Sequence, residues 1–217
     1  MEPETVLDLE LGASYAKADV LLKANMYWMS LHNEIVTQGG VNPNGFPVQD
    51  NVDRSEHMGV EIETAYRPVI GINAWVNMSL SSNQLKEFII YDYSDNQPID
   101  LSGNPIALFP SLMLNSGLGY SMNKLDAAID FRHVGKQYLD NTENDDRTVD
   151  AYSLVGLSLS YPFTHFKSLQ SLQLKLRINN LLDAEYETSG YYDPWTDENY
   201  YFVGAERNWF LTLLVSL

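Results

Sequence analysis

The stretch AERNWFLTLLVSL, Ala205 to Leu217, decides the fold. Taken two at a time, Trp209, Leu211, Leu213, Val215 and Leu217 form a wholly apolar face. The alternate residues Asn208, Phe210, Thr212, Leu214 and Ser216 form a mixed one. A period of two is the side-chain geometry of a β-strand. A strand that is greasy on one side and ends on a hydrophobic residue is predicted to close a transmembrane β-barrel, with lipid covering its outer face.

The same alternation recurs back along the chain. In Val6–Tyr15, leucines at 7, 9 and 11 oppose Asp8, Glu10 and Gly12. In Val20–Ile35 the outward set is Val20, Leu22, Ala24, Met26 and Trp28. Further strands are predicted over Asp53–Tyr66, Ile72–Glu87, 112–120, Leu125–Tyr138, Ala151–Tyr161 and 172–179. With the last, that makes about nine strands of roughly 10–16 residues. Soluble strands average only about five or six, whereas a tilted membrane strand needs about 9–11. Short connections at 16–19, 67–71, 121–124 and 162–169 (through Pro162 and His165) take turns with long polar ones at 37–52, 91–109, 139–150 and 188–203. Tight turns on one side and long loops on the other are the outer-membrane pattern. The fold class is therefore all-β, an antiparallel up-and-down transmembrane β-barrel segment.

Composition sets outer bounds. The 217 residues carry a net charge of -16, which repels nucleic-acid phosphates and excludes nucleic acid as a partner. No run of about 18 apolar residues is present, as a membrane helix would need, and barrel strands do not need one. The chain has no cysteine, so neither disulfides nor thiolate chemistry enter. Its start, Met1-Glu2-Pro3-Glu4-Thr5, lacks the basic and apolar regions of a secretion signal. Bacterial single-chain barrels have even strand numbers. The odd count and the missing signal share one expectation: the N-terminal part lies outside this chain.

Few residues form a constellation that carries chemistry. The loop DNTENDD, Asp140–Asp146, packs oxygen donors as calcium sites do, but it lacks the glycine and distal glutamate of an EF-hand and reads first as a solvated loop. The histidines at 32, 57, 133 and 165 lack metal-ligand spacing. His133, near an outer strand end, is placed to touch a lumen ligand. Glu61, Glu63, Asp126 and Asp130, with Arg132, Lys175 and Arg177, face inward and predict a hydrated, charged lumen. They repeat along strand faces rather than pairing across a cleft, so neither a glycosidase nor any other enzyme is expected. No cofactor and no metal are expected. Tyr191, Tyr192, Trp195 and Tyr200 crowd the last long loop and are the candidate ligand-binding residues, through stacking on an aromatic or sugar-like ring.

Three stretches resemble one family. They are LRINNLLDAEYE (Leu176–Glu187) with the final strand after it, FRHVGKQYLDNT (Phe131–Thr142), and RSEHMGVEIE (Arg54–Glu63). Together they resemble the C-terminal barrel of TonB-dependent outer-membrane receptors. The terminal Leu217 stands where that family usually ends in Phe. The resemblance implies that residues 1–217 are the C-terminal part of a barrel of about 22 strands, with the plug domain absent from this chain. It implies the outer membrane of a Gram-negative bacterium and active uptake of a scarce nutrient, such as a ferric siderophore, cobalamin, haem or an oligosaccharide. The implied partners are outer-membrane lipid, the plug and remaining barrel strands, the TonB energising complex reached through the missing N-terminal part, and the small nutrient. Two other readings of the residues stay open. One is a complete small outer-membrane pore or adhesin barrel, and the other is a soluble all-β carbohydrate-binding module.

Overall fold

The computed structural model describes residues 2–41, 46–91, 97–163 and 171–216. Leu217 and His165 lie outside the described residues, as do residues 42–45 of the first long loop. Fifteen strands are present, and no helix occurs among the described residues. In chain order they are β1 (Thr5–Ala16), β2 (Val20–Val41), β3 (Pro47–Tyr66), β4 (Ile72–Glu87), β5 (Ile89–Tyr91), β6 (Pro98–Asp100), β7 (Leu112–Met122) and β8 (Leu125–Val134). Then follow β9 (Gln137–Tyr138), β10 (Thr148–Val149), β11 (Tyr152–Phe163), β12 (Ser171–Asn179), β13 (Glu187–Asp193), β14 (Glu198–Val203) and β15 (Asn208–Ser216). Nine form one sheet in the order β1-β2-β3-β4-β7-β8-β11-β12-β15, every neighbour antiparallel. The other six form three small hairpins beyond the long-loop ends.

The register puts the predicted apolar faces on one side. One row of cross-strand partners reads Leu11, Met26, Val60, Leu80, Leu112. Another reads Leu118, Ile129, Leu157, Ile178, Trp209. A one-residue slip anywhere would turn a strand's apolar set toward the polar face, so the alternation itself fixes the register. These side chains are not covered by protein: Leu11 is 73% and Trp209 68% exposed. A soluble module would pack such a face against a second sheet, and none covers it among the described residues. Hydrocarbon is the medium that fits it. Aromatic residues edge the face at both ends. Tyr15, Tyr66, Tyr120, Tyr161 and Phe163 lie by the short turns, and Trp28, Phe131 and Trp209 lie toward the long loops. This is the double aromatic girdle of a membrane barrel.

The short turns are made by local chemistry. Gly71 adopts φ +87°, and a Cβ there would sit 2.3 Å from the Ser121 carbonyl oxygen, so only glycine fits. The lumen-side wall is kept flat in a related way. At Gly117 a Cβ would lie 2.5 Å from Trp75 Nε1, because the Trp75 side chain lies over the neighbouring strand.

Several long-loop expectations change. Residues 37–52 are not an open loop: β2 and β3 stay paired to Thr37–Gln49 and, past a bulge, Val41–Pro47. The breakers Asn42–Gly45 of that predicted loop lie outside the described residues. The stretches 91–109 and 188–203 contribute the hairpins β5–β6 and β13–β14. The sixth predicted strand stops at Val134, and Gln137–Tyr138 pair with Thr148–Val149 instead. Outside the membrane no lipid enforces strict alternation, so these strands carry a weaker pattern. Residues 205–207 also leave the final strand. Asp183 accepts bonds from both the Arg207 amide (2.8 Å) and its guanidinium (3.1 Å).

Nine strands that alternate in direction leave β1 and β15 running the same way at the two edges. The sheet therefore cannot close on itself with antiparallel pairing.

Candidate ligand-binding site

The inward face of the sheet is polar. Lys23 pairs with Glu63 at 3.0 Å, and Arg177 clasps Asp130 through two bonds of 2.5 and 3.0 Å. Gly156 leaves the room for that clasp, since a Cβ there would meet both partners. Asn25 bonds Glu10, and Gln173 bonds Ser160. The predicted hydrated lumen is thus a wall of ion pairs and amides lying along the strands. His133 is not part of it. Its register partners are Leu114 and Ser153, which puts it on the outward face with Phe131 and Ile129, where it bonds the Ser153 hydroxyl at 2.9 Å. The expectation that it touches a lumen ligand is corrected by strand parity.

Above the wall the long loops join into a cap, and this is where the buried hydrophobic residues are. Val36, Val52, Leu85, Phe88, Leu101 and Ile106 form one cluster. Asn33, with φ 56°, lets β2 change faces, so that Glu34 turns inward beyond the apolar belt that ends at Trp28 and Met58. There Glu34 meets His57 at 3.0 Å and the Ser55 hydroxyl, while Asn83 bonds the other imidazole nitrogen at 2.8 Å. Burial pulls the His57 pKa down, but the hydrogen bond and charge of Glu34, with Asn83, outweigh it and leave it raised. Burial likewise pushes Glu34 up, and the bonds from His57 and Ser55 with the imidazolium charge bring it below its ordinary value. The Phe109 ring packs on the His57 side of the pair, with its centroid 5.6 Å from that of the imidazole.

In the loop Asp140–Asp146 the first two residues are buried, while Thr142, Glu143, Asp145 and Asp146 are exposed as a solvated loop would have them. Asp140 is 4% exposed and accepts from Thr142 and from Arg147 at 2.9 Å. Asn141 is 2% exposed, donates to the Thr37 carbonyl, accepts from the Ala107 amide, and receives Asn104 on its own carbonyl. Among the described residues no three metal-ligating side chains come together.

The four predicted aromatic residues lie on β13–β14 and divide among three positions. Tyr191 stacks on Tyr200 with centroids 5.3 Å apart and planes at 14°. Phe202 extends this ladder at 6.4 Å and is 59% exposed. Trp195 is at the tip, 85% exposed. Tyr192 belongs to the opposite face by register, and its ring lies 3.5 Å from the Arg147 guanidinium carbon. Its hydroxyl donates to Asp197, and that bond, with burial, raises its pKa. The aromatic crowding in the sequence names Tyr191 and Tyr200 but not Phe202, which packs with them, and the sequence singles out neither Arg147 nor the burial of Asn141. The available signal for Arg147 was a lone cation directly after Asp145 and Asp146.

Comparison with known proteins places the chain. A family model described as TonB dependent receptor-like, beta-barrel, matches residues 1–181. The vitamin B12 transporter BtuB of Vibrio vulnificus (strain YJ016) is 23% identical over 214 residues, covering 98% of this chain and 30% of that protein. BtuB of Vibrio cholerae O1 is 42% identical over 84 residues, which is 37% of this chain and 13% of that one. Among solved structures, the ferric yersiniabactin uptake receptor FyuA of Yersinia pestis superposes with a TM-score of 0.74 at 18% identity, over 99% of this chain and 30% of FyuA. The ferric citrate transporter FecA gives 0.72 at 16% identity, over 96% and 31%. At those identities the structures speak for the fold alone. The chain spans 30% of the length of the Vibrio vulnificus relative.

Proposed function

This chain belongs to the TonB-dependent receptor β-barrel family, whose members are outer-membrane barrels of Gram-negative bacteria, and from that premise we propose that it supplies barrel wall and ligand-facing loops to a nutrient importer. The family is one of receptors and transporters, not enzymes. The free edges of β1 and β15 run in the same direction. An odd number of further strands therefore completes an antiparallel barrel and satisfies the edge N–H and C=O groups, which lipid cannot. About thirteen more would give the 22 strands of plugged transporters. The charged wall then faces the plug, which the TonB complex displaces from the periplasmic side. No covalent chemistry is required of these residues.

The observation that supports a binding role is the ladder Tyr191–Tyr200–Phe202, whose Tyr200 and Phe202 rings are exposed, with Trp195 85% exposed at the tip of the same hairpin. Stacked, solvent-facing rings suit a ligand with its own planar or apolar faces. A ferric siderophore is the first candidate. Cobalamin is the second, favoured by the relatives named vitamin B12 transporters. Binding of a ferric triscatecholate and of cyanocobalamin to the purified full-length protein tests this directly. Tyr191→Ala and Tyr200→Ala are each expected to weaken the bound probe about tenfold, from the roughly 0.5–1.5 kcal/mol of an aromatic pair plus lost area. Unchanged affinity in both variants would remove the ladder from the binding site.

A further inference from the structure

The loop between β9 and β10 touches both of the other parts of the cap, and it does so through two separate residues. Asn141 reaches one way, to Thr37 in the outer part of β2 and to Asn104 and Ala107. Arg147 reaches the other way. Its guanidinium is anchored by buried Asp140 at 2.9 Å and lies against the Tyr192 ring at 3.5 Å. Two more bonds cross the same seam: Asn199 donates to the Asp146 carbonyl at 2.8 Å and Tyr201 to the Thr148 carbonyl at 3.1 Å. All three hairpin residues in these contacts belong to one face of β13–β14. Tyr191, Tyr200 and Phe202 belong to the other.

We infer that Arg147 is a positioning residue that fixes which face of the β13–β14 hairpin is offered to ligand, and that Asn141 is a second, independent lock holding 101–110 and the outer part of β2 to the same loop. The physical basis is strand alternation. Pinning Tyr192 by cation–π contact and Tyr201 by a hydrogen bond leaves the alternate residues, the aromatic ladder, on the free side. Asp140 meets the charge of Arg147 and offsets part of the cost of covering the guanidinium with the Tyr192 ring, 3.5 Å away. Two locks on one loop let the hairpin loosen while the rest of the cap stays closed. The ligand-facing part of this inference rests on the binding role proposed above for Tyr191 and Tyr200.

Amide hydrogen exchange on the full-length protein in detergent tests the locks without any ligand. Arg147→Met is expected to speed exchange across 187–203 about tenfold, the scale of a partly desolvated cation–π contact, and to leave 101–110 protected. Asn141→Ala is expected to do the reverse. Arg147→Lys, which keeps the charge against Asp140, restores much of the protection. Tyr192→Leu removes the ring with the Asp140 anchor intact, loosens 187–203 alone, and serves if Arg147→Met does not fold. Unchanged exchange at 187–203 in both Arg147→Met and Tyr192→Leu overturns the positioning role. Loosening of both segments together in either Arg147→Met or Asn141→Ala overturns the separation of the locks. Cyanocobalamin and ferric triscatecholate binding then divides the two claims. If Tyr191→Ala and Tyr200→Ala both bind as well as wild type, the binding role fails while the exchange result stands. If Tyr191→Ala weakens a probe and Arg147→Met does not, the ladder binds but Arg147 does not position it.

Discussion

The wall and the cap of this molecule obey opposite rules of burial. In the wall, leucines such as Leu9, Leu11 and Leu213 are more than half exposed, and ion pairs line the concave side. In the cap, Val52, Leu85 and Leu139 are fully buried, and so is the polar side chain of Ser55. The difference is one of solvent. The wall is built for hydrocarbon outside and water inside, so its apolar residues need no protein partner. The cap stands in water on every side and must make its own core, as any small domain does. A single chain thus carries a membrane pattern and a globular pattern in alternating segments.

The largest effect that would sharpen this contrast is expected at Leu85. Leu85→Ala removes a fully buried side chain from the cap cluster and should destabilise the cap by about 2–5 kcal/mol. Hydrogen exchange should rise in 98–110 and 47–55 while the strands below Met58 stay protected. Uniform loosening of wall and cap would show them to be one cooperative unit and break the comparison. Next in size is a pair of neighbours on β4. Met78 lies in the outward row with Ile62 and Leu114, and Asn77 lies inward between Glu63 and Asn115. Met78→Arg should cost about 2–4 kcal/mol near mid-membrane, whereas Asn77→Arg should change denaturant stability in liposomes by well under that. Equal costs at the two positions would contradict the assignment of the faces.

The smallest effect concerns pH. His57 has a raised pKa, so its contribution to cap stability is complete below its unfolded value of about 6.5 and is lost as pH rises through the folded value. Glu34 has a lowered pKa, so its contribution is complete above its unfolded value of about 4.3 and is lost as pH falls through the folded value. Exchange in 101–110 should therefore be slowest, after correction for intrinsic rates, in mildly acidic solution, and His57→Gln should abolish the alkaline limb. A flat profile in the wild-type protein would mean that the pair does not support the cap.

Much of the wall was legible from residue order. β4 spans Ile72–Glu87, as the alternation predicts, and the faces of β1, β7 and β11 follow their odd and even positions. Lipid imposes the same demand at every turn of the pleat, so the pattern repeats without interruption. The cap was legible only in part. Tyr191 and Tyr200 were identified as binding candidates, and they stack together. Tyr192, one residue away, faces Arg147 instead. Composition marks aromatic crowding but does not assign sides of a hairpin whose register and bulge are unknown.

The sequence by itself determined the strand period, the apolar and polar faces and the alternation of turns and loops, because each follows from contacts between near neighbours and one uniform solvent. In Ala205–Leu217 the apolar side is the outward row Trp209–Val215, and Leu217 lies outside the described residues. Only the tertiary structure decided how the loops meet. The bond from Asn141 to Thr37 spans 104 residues, and Arg147 finds Tyr192 on a hairpin that follows two more wall strands. Such contacts depend on the curvature of the whole sheet, which brings distant loop ends together, and no local pattern in the chain encodes that distance.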